Sequence, residues 1–191
     1  MVAEEVLAPG AFVLAILATN YALAGLPNVK LFDLLVFVAG YTLGLRRGAL
    51  VAVAAWLVYD AANPWGPGSP VLLMTKIAGE LGYVLAGVLV ARIVAPERLR
   101  LGPSRVTLLL AVAAVATTLT YDVVTNLYTG YFWASIAGAG EYGRWIATAV
   151  FGPGAALFMV LHVGSNAVLF PIFGPLLMKG AAHAKQAWGL R

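Results

Sequence analysis

Residues 31–62 read LFDLLVFVAGYTLGLRRGALVAVAAWLVYDAA, two apolar runs (31–45 and 49–62) on either side of Arg46-Arg47-Gly48. One continuous helix through that point would bury two unpaired cations in hydrocarbon, at about 3 kcal/mol or more for each. The runs are therefore expected to be separate helices that meet at the arginines, with those charges at a membrane face. Both are shorter than the ~20 residues that a helix needs to cross a ~30 Å layer. Each can still span if it borrows flanking residues, tilts, or lies against thicker neighbours.

Further apolar stretches occupy 9–26, 71–94, 106–127 and 146–178, which brings the expected total to six spans. With 62% apolar and 10% charged residues in 191, little chain is left for a soluble domain, so residues 1–191 are read as one membrane-embedded, all-α domain, a bundle of six transmembrane helices. The first stretch follows Glu4 and Glu5 instead of a basic segment and leads into more spans. It is expected to be retained and not cleaved as a signal peptide. Cysteine is absent, which excludes disulfides, thiolate metal sites and a cysteine nucleophile.

Charge orients the bundle. Nine of the twelve Lys and Arg residues (Arg46, Arg47, Arg92, Arg98, Arg100, Arg105, Lys179, Lys185 and Arg191) fall on one side of the expected topology, leaving Lys30, Lys76 and Arg144 for the other. Cytoplasmic loops hold such an excess, so both termini are expected in the cytoplasm of a multi-pass cell-membrane protein. The same distribution argues against nucleic acid, because the cations follow sidedness and are not interleaved with aromatics.

Placed by depth, the polar residues of the spans collect in the outer half: Asn20 and Tyr21 in the first; Lys30 and Asp33 at the start of the second; Tyr59, Asp60 and Asn63 at the end of the third; Lys76 and Glu80 in the fourth; Thr117, Thr118, Tyr121, Asp122 and Asn126 in the fifth; His162, Ser165 and Asn166 near mid-membrane in the sixth. Buried ionisable groups in a membrane mark sites or partners. An outward-opening polar cup is expected, with Tyr59, Asp60, Asn63, Lys76, Glu80, Tyr121, Asp122, Asn126, His162 and Asn166 as candidate substrate contacts. Other roles stand beside that one. Lys76 and Glu80, spaced i,i+4, can neutralise each other; Asp60 and Asp122 can be interfacial or capping residues; His162 can bond Asn166 or a neighbouring helix, a better account than metal ligation since His183 lies in the tail.

The outer loops contribute aromatics. Trp65 lies among the prolines and glycines of 62–71, and Tyr128, Tyr131, Phe132, Trp133, Tyr142 and Trp145 lie in a glycine-containing loop over 128–145. They read either as an interfacial belt or as a lid, with Trp133 the candidate ligand contact. Five acidic groups (Asp33, Asp60, Glu80, Asp122, Glu141) face three basic ones in the cup and loops, a formal balance of −2. With the rings, that favours a neutral or cationic cyclic ligand, such as a thiamin-related or cobalamin-related compound.

In the first stretch, Ala11, Ala15, Ala18 and Ala22 include two small-xxx-small pairs, suited to close helix contact either inside the bundle or with a partner. This alanine-rich helix is followed by Leu26-Pro27-Asn28-Val29-Lys30-Leu31, Val36-Phe37-Val38-Ala39-Gly40, Leu43-Gly44-Leu45-Arg46-Arg47-Gly48-Ala49-Leu50, Tyr59-Asp60-Ala61-Ala62-Asn63-Pro64 and His162-Val163-Gly164-Ser165-Asn166. In that order the features resemble the S component of an energy-coupling factor (ECF) vitamin transporter, over nearly the whole chain. The resemblance implies a subunit that binds a vitamin-like micronutrient from outside and passes it inward with a transmembrane coupling protein and two ABC-type ATPases. It also implies that Ala11, Ala15, Ala18 and Ala22 meet the coupling protein. No cofactor, metal or catalytic residue is expected, and no phosphate-binding G-x-x-x-x-G-K-[ST] loop is present. The rival readings are a solitary transporter or channel, and an intramembrane enzyme built around His162 with Glu80 or Asp122.

Overall fold

The computed structural model describes residues 6–64, 66–138 and 140–187; Glu4, Glu5, Trp65 and Arg191, on which expectations were placed, lie outside them. The described chain is helical: α1 (Ala8–Ala22), α2 (Phe32–Ala61), α3 (Pro70–Ile93), a 3-10 turn (Pro96–Arg98), α4 (Arg105–Ala137), α5 (Tyr142–Phe151) and α6 (Pro153–Ala187). The helices α2, α3, α4 and α6 are long and apolar enough to cross a membrane. Their outward faces are also apolar, with Leu89, Leu108, Val112, Val160 and Ile172 about half exposed or more. A helix that is apolar all round suits burial on one side and lipid on the other.

α2 is two helices in sequence. At Gly44 the backbone takes φ 82°, ψ −178°, a conformation available to glycine and strained for any residue with a Cβ. The chain turns back on itself there. Phe32 and Trp56 lie 24 residues apart, about 36 Å along a straight helix, yet their rings are 4.8 Å apart. A methyl group added at Gly48 would sit 3.0 Å from the Gly40 Cα, so Gly40 meets Gly48 as Phe32 meets Trp56, symmetrically about Gly44. The reversal thus comes three residues before Arg47, and Arg46 and Arg47 begin the returning limb.

The first limb, 32–43, is buried throughout. Glycines let its neighbours approach it closely: a Cβ at Gly40 would strike the Val84 carbonyl of α3, and one at Gly87 the Phe37 carbonyl. From α6, Phe170 packs edge-on against Phe37 at 5.2 Å. Two helix starts carry side-chain caps. Ser69 accepts from the Leu72 amide before Pro70 opens α3, and Ser104 and Thr107 form a reciprocal box at the start of α4.

One end of the bundle gathers basic residues. Tyr41 donates to the Val94 carbonyl at 2.9 Å and Lys185 to the Thr42 carbonyl at 3.0 Å, which brings the Gly44 turn, the segment after α3 and the end of α6 together. The opposite end differs from the sequence expectation. The segment 128–145 is not a loop: α4 continues to Ala137, and α5 begins at Tyr142. Gly130, one of the glycines of the expected loop, is buried in α4 where the Trp145–Ile146 backbone crosses it. The stretch 146–178 is also divided, with α5 ending at Phe151 and α6 beginning at Pro153.

Candidate functional site

Asp33 is the second residue of α2, His162 lies three turns into α6, and Asp122 lies beyond the middle of α4. Their side chains meet. The His162 Nδ1 is 2.7 Å from Asp122 Oδ1 and its Nε2 is 2.7 Å from Asp33 Oδ2. A ring carrying both protons donates to both carboxylates at once. One turn further along α6, the Asn166 amide donates to Asp33 Oδ2 at 2.8 Å and to Thr118 Oγ1 at 2.9 Å, and Tyr83 of α3 donates to the same threonine at 2.9 Å. Four helices are thereby tied through one polar cluster, in which Asp33 and Asn166 are fully buried and His162 is 2% exposed.

A second group adjoins it through Trp56. The indole N–H donates to Glu80 Oε2 at 3.1 Å, and the Trp56 ring lies nearly parallel to Tyr121, with centroids 6.5 Å apart. Tyr121 in turn meets His162 edge-on at 5.7 Å. Above Trp56, Lys76 makes a 2.7 Å ion pair with Asp60, whose other oxygen accepts from the Gly68 amide. Lys76 and Glu80 therefore do not neutralise each other: each finds its partner on the returning limb of α2. Asp60 bonds Lys76 and the Gly68 amide, Asp122 bonds His162, and His162 reaches the neighbouring helices through Asp33 and Asp122 and not through Asn166.

Lys30 closes the arrangement. Its ammonium lies 5.5 Å from the centre of the Trp56 ring, 5.6 Å from Tyr121 and 5.7 Å from Phe32, with Asp33 Oδ1 3.7 Å away. Burial lowers the Lys30 pKa, but Asp33, Glu80 and Asp122 outweigh it and hold the group above the ordinary lysine value. The segment that holds it is docked on α6: Asn28 donates to the Phe158 carbonyl, and its own carbonyl accepts from Ser165, both at 3.0 Å.

Of the candidate contacts, Tyr59, Asp60, Lys76, Glu80, Tyr121, Asp122, His162 and Asn166 fall in these connected groups. Asn126, half-buried, is one turn beyond Asp122, and Asn63 is half-buried just after α2. Trp133 is not brought in: it is 41% exposed on α4 and meets Trp145 edge-on. Asp33, Trp56, Tyr83 and Thr118 are the principal members absent from the predicted contact set. The innermost of these polar groups, Asp33, Glu80, His162 and Asn166, are shielded from solvent.

Pairing leaves a residue of unused capacity. Asp33 Oδ1, Glu80 Oε1, Asp122 Oδ2 and Asn166 Oδ1 are buried without a hydrogen-bond partner, and all four are carboxyl or amide oxygens. Among the described residues, no group of three His, Asp or Glu side chains is placed to hold a metal ion. No family model matches the chain, and neither does any curated protein or solved structure.

Proposed function

We propose that this protein is the substrate-specificity subunit of an ECF-type importer in the cell membrane, crossing it six times with both termini in the cytoplasm. It binds a vitamin-like micronutrient from outside and delivers it through a transmembrane coupling protein and two ABC-type ATPases. The observation that carries this reading is the convergence of Asp33, Asp122, His162 and Asn166, with Glu80 beside them on Trp56, from four helices, at the end of the bundle opposite the Gly44 turn. Ionisable groups brought together at depth suit a ligand site better than scattered structural bonds.

The surface of α1 supports the second half of the proposal. Ala11, Ala15, Ala18 and Ala22 are all exposed, as is Leu14. Ala11 and Ala15 also border an apolar cavity of about 200 Å³ between α1, the first limb of α2 and the end of α6. A bare small-residue face lets a partner helix come close in lipid.

Affinity purification of the tagged chain from its native membranes is expected to bring down a transmembrane protein and two ATPases. Ala15→Trp together with Ala18→Trp should remove them while ligand affinity stays within about twofold, because the polar cluster lies elsewhere. Uptake by proteoliposomes holding this chain alone would instead establish a solitary transporter.

A further inference from the structure

Phe32, Trp56 and Tyr121 form an aromatic enclosure of the kind that recognises organic cations, because the negative faces of the rings attract a positive charge within about 6 Å. Its occupant is the chain's own Lys30, at 5.5–5.7 Å from all three rings. The hold is loose. The nearest carboxylate oxygen is 3.7 Å from the ammonium, outside hydrogen-bond range, whereas Lys76 grips Asp60 at 2.7 Å. The lysine belongs to no helix: it lies between α1 and α2 and keeps 17% of its side chain exposed.

The surroundings are built for more than this ammonium supplies. Glu80 meets the enclosure through the Trp56 indole, and Asp33 and Asp122 flank His162, which meets Tyr121 edge-on. The four buried oxygens without hydrogen-bond partners belong to these carboxyl groups and to Asn166, and Asp33 Oδ1 has only the Lys30 ammonium at 3.7 Å. Acceptors buried without donors are costly, by about 1–3 kcal/mol each, and a cation bearing several N–H donors is the chemical complement of such a set.

We propose that Lys30 is a tethered stand-in for the substrate: the site takes an N–H-bearing, ring-containing organic cation, whose charged group displaces the Lys30 ammonium from between Phe32, Trp56 and Tyr121. The segment 23–31 then acts as the gate, carrying the lysine outward as the substrate enters. Asn28 is its latch on α6. This deepens the substrate-binding role proposed above and rests on it for its biological meaning.

The test uses purified full-length chain in nanodiscs, with tryptophan fluorescence as readout and three probes of similar shape: benzamidine (cation), benzamide (neutral) and benzoate (anion). In Lys30→Ala, benzamidine is expected to bind at least tenfold more tightly than in the wild type and at least tenfold more tightly than benzamide. Lys30→Arg, which keeps a cation in the enclosure, should behave like the wild type, and Trp56→Leu added to Lys30→Ala should remove the gain. Unaltered benzamidine affinity in Lys30→Ala, or equal binding of benzamidine and benzamide, overturns the proposal. So does benzoate binding that is present in the wild type and lost in Lys30→Ala, which would make the lysine a direct anchor for an anion. Monodisperse elution of each variant verifies folding. Because no partner enters this assay, failure to capture a coupling protein overturns the importer reading without touching this result.

Discussion

His162 bridges two carboxylates that have no other strong donor in common, so its loss should be felt more widely than that of any neighbour. His162→Ala is expected to destabilise the fold by about 3–5 kcal/mol, the range for leaving buried charge without its partner, measured by SDS titration of the purified protein. Asp122→Asn, which keeps an acceptor for the ring, should cost less than Asp122→Ala in the same measurement. Asn166→Ala removes donors to Asp33 and Thr118 and should weaken ligand binding by about 1–3 kcal/mol with the helices intact. Unchanged calorimetric affinity there would mean the cluster is structural. Trp133→Ala, at an exposed position away from the cluster, is expected to leave affinity unaltered. That Asp122, His162 and Asn166 lie together was legible in advance, because charged and amide groups at membrane depth have few uses. Asp33 was placed in the expected cup but not chosen as a contact, since next to Lys30 at a helix start it resembles a boundary residue. Trp56 and Tyr83 gave no signal at all: a single aromatic in an apolar run looks the same whether it packs or lines a site.

At the scale of the elements, the turn within 31–62 could be anticipated from the cost of burying Arg46 and Arg47, yet charge located it only approximately. The reversal is made by backbone geometry at Gly44. Gly44→Ala is expected to cost about 1–3 kcal/mol, and Gly87→Ala a similar amount through collision with the Phe37 carbonyl; thermal unfolding in detergent checks both. Each should exceed Gly82→Ala, where a methyl group meets open space in the same helix as Gly87. The misread element is 128–145. Glycine among aromatics suggested a mobile loop, but Gly130 serves the opposite purpose, allowing α5 to lie directly on α4. Sequence alone does not distinguish a glycine that frees the chain from one that makes room for a neighbour.

For the whole molecule, the charge pattern predicts that cysteines introduced at Ser69 and Ser135 react with an impermeant reagent added outside intact cells; reaction only after permeabilisation would invert the orientation. At 33 and 35 residues, α4 and α6 are about 50 Å long, well beyond a ~30 Å hydrocarbon layer. The limb 32–43 poses the converse problem. It is about 18 Å long, and every residue is covered by protein, including Val84 and Gly87 of α3 and Phe170 of α6. Those helices are synthesised later. When residues 32–43 leave the ribosome, the walls of their final compartment do not yet exist, and a segment this short makes a poor stop signal by itself. Its apolar character therefore answers to neighbours that arrive afterwards, and biogenesis must hold this limb in a provisional position until the C-terminal helices close around it.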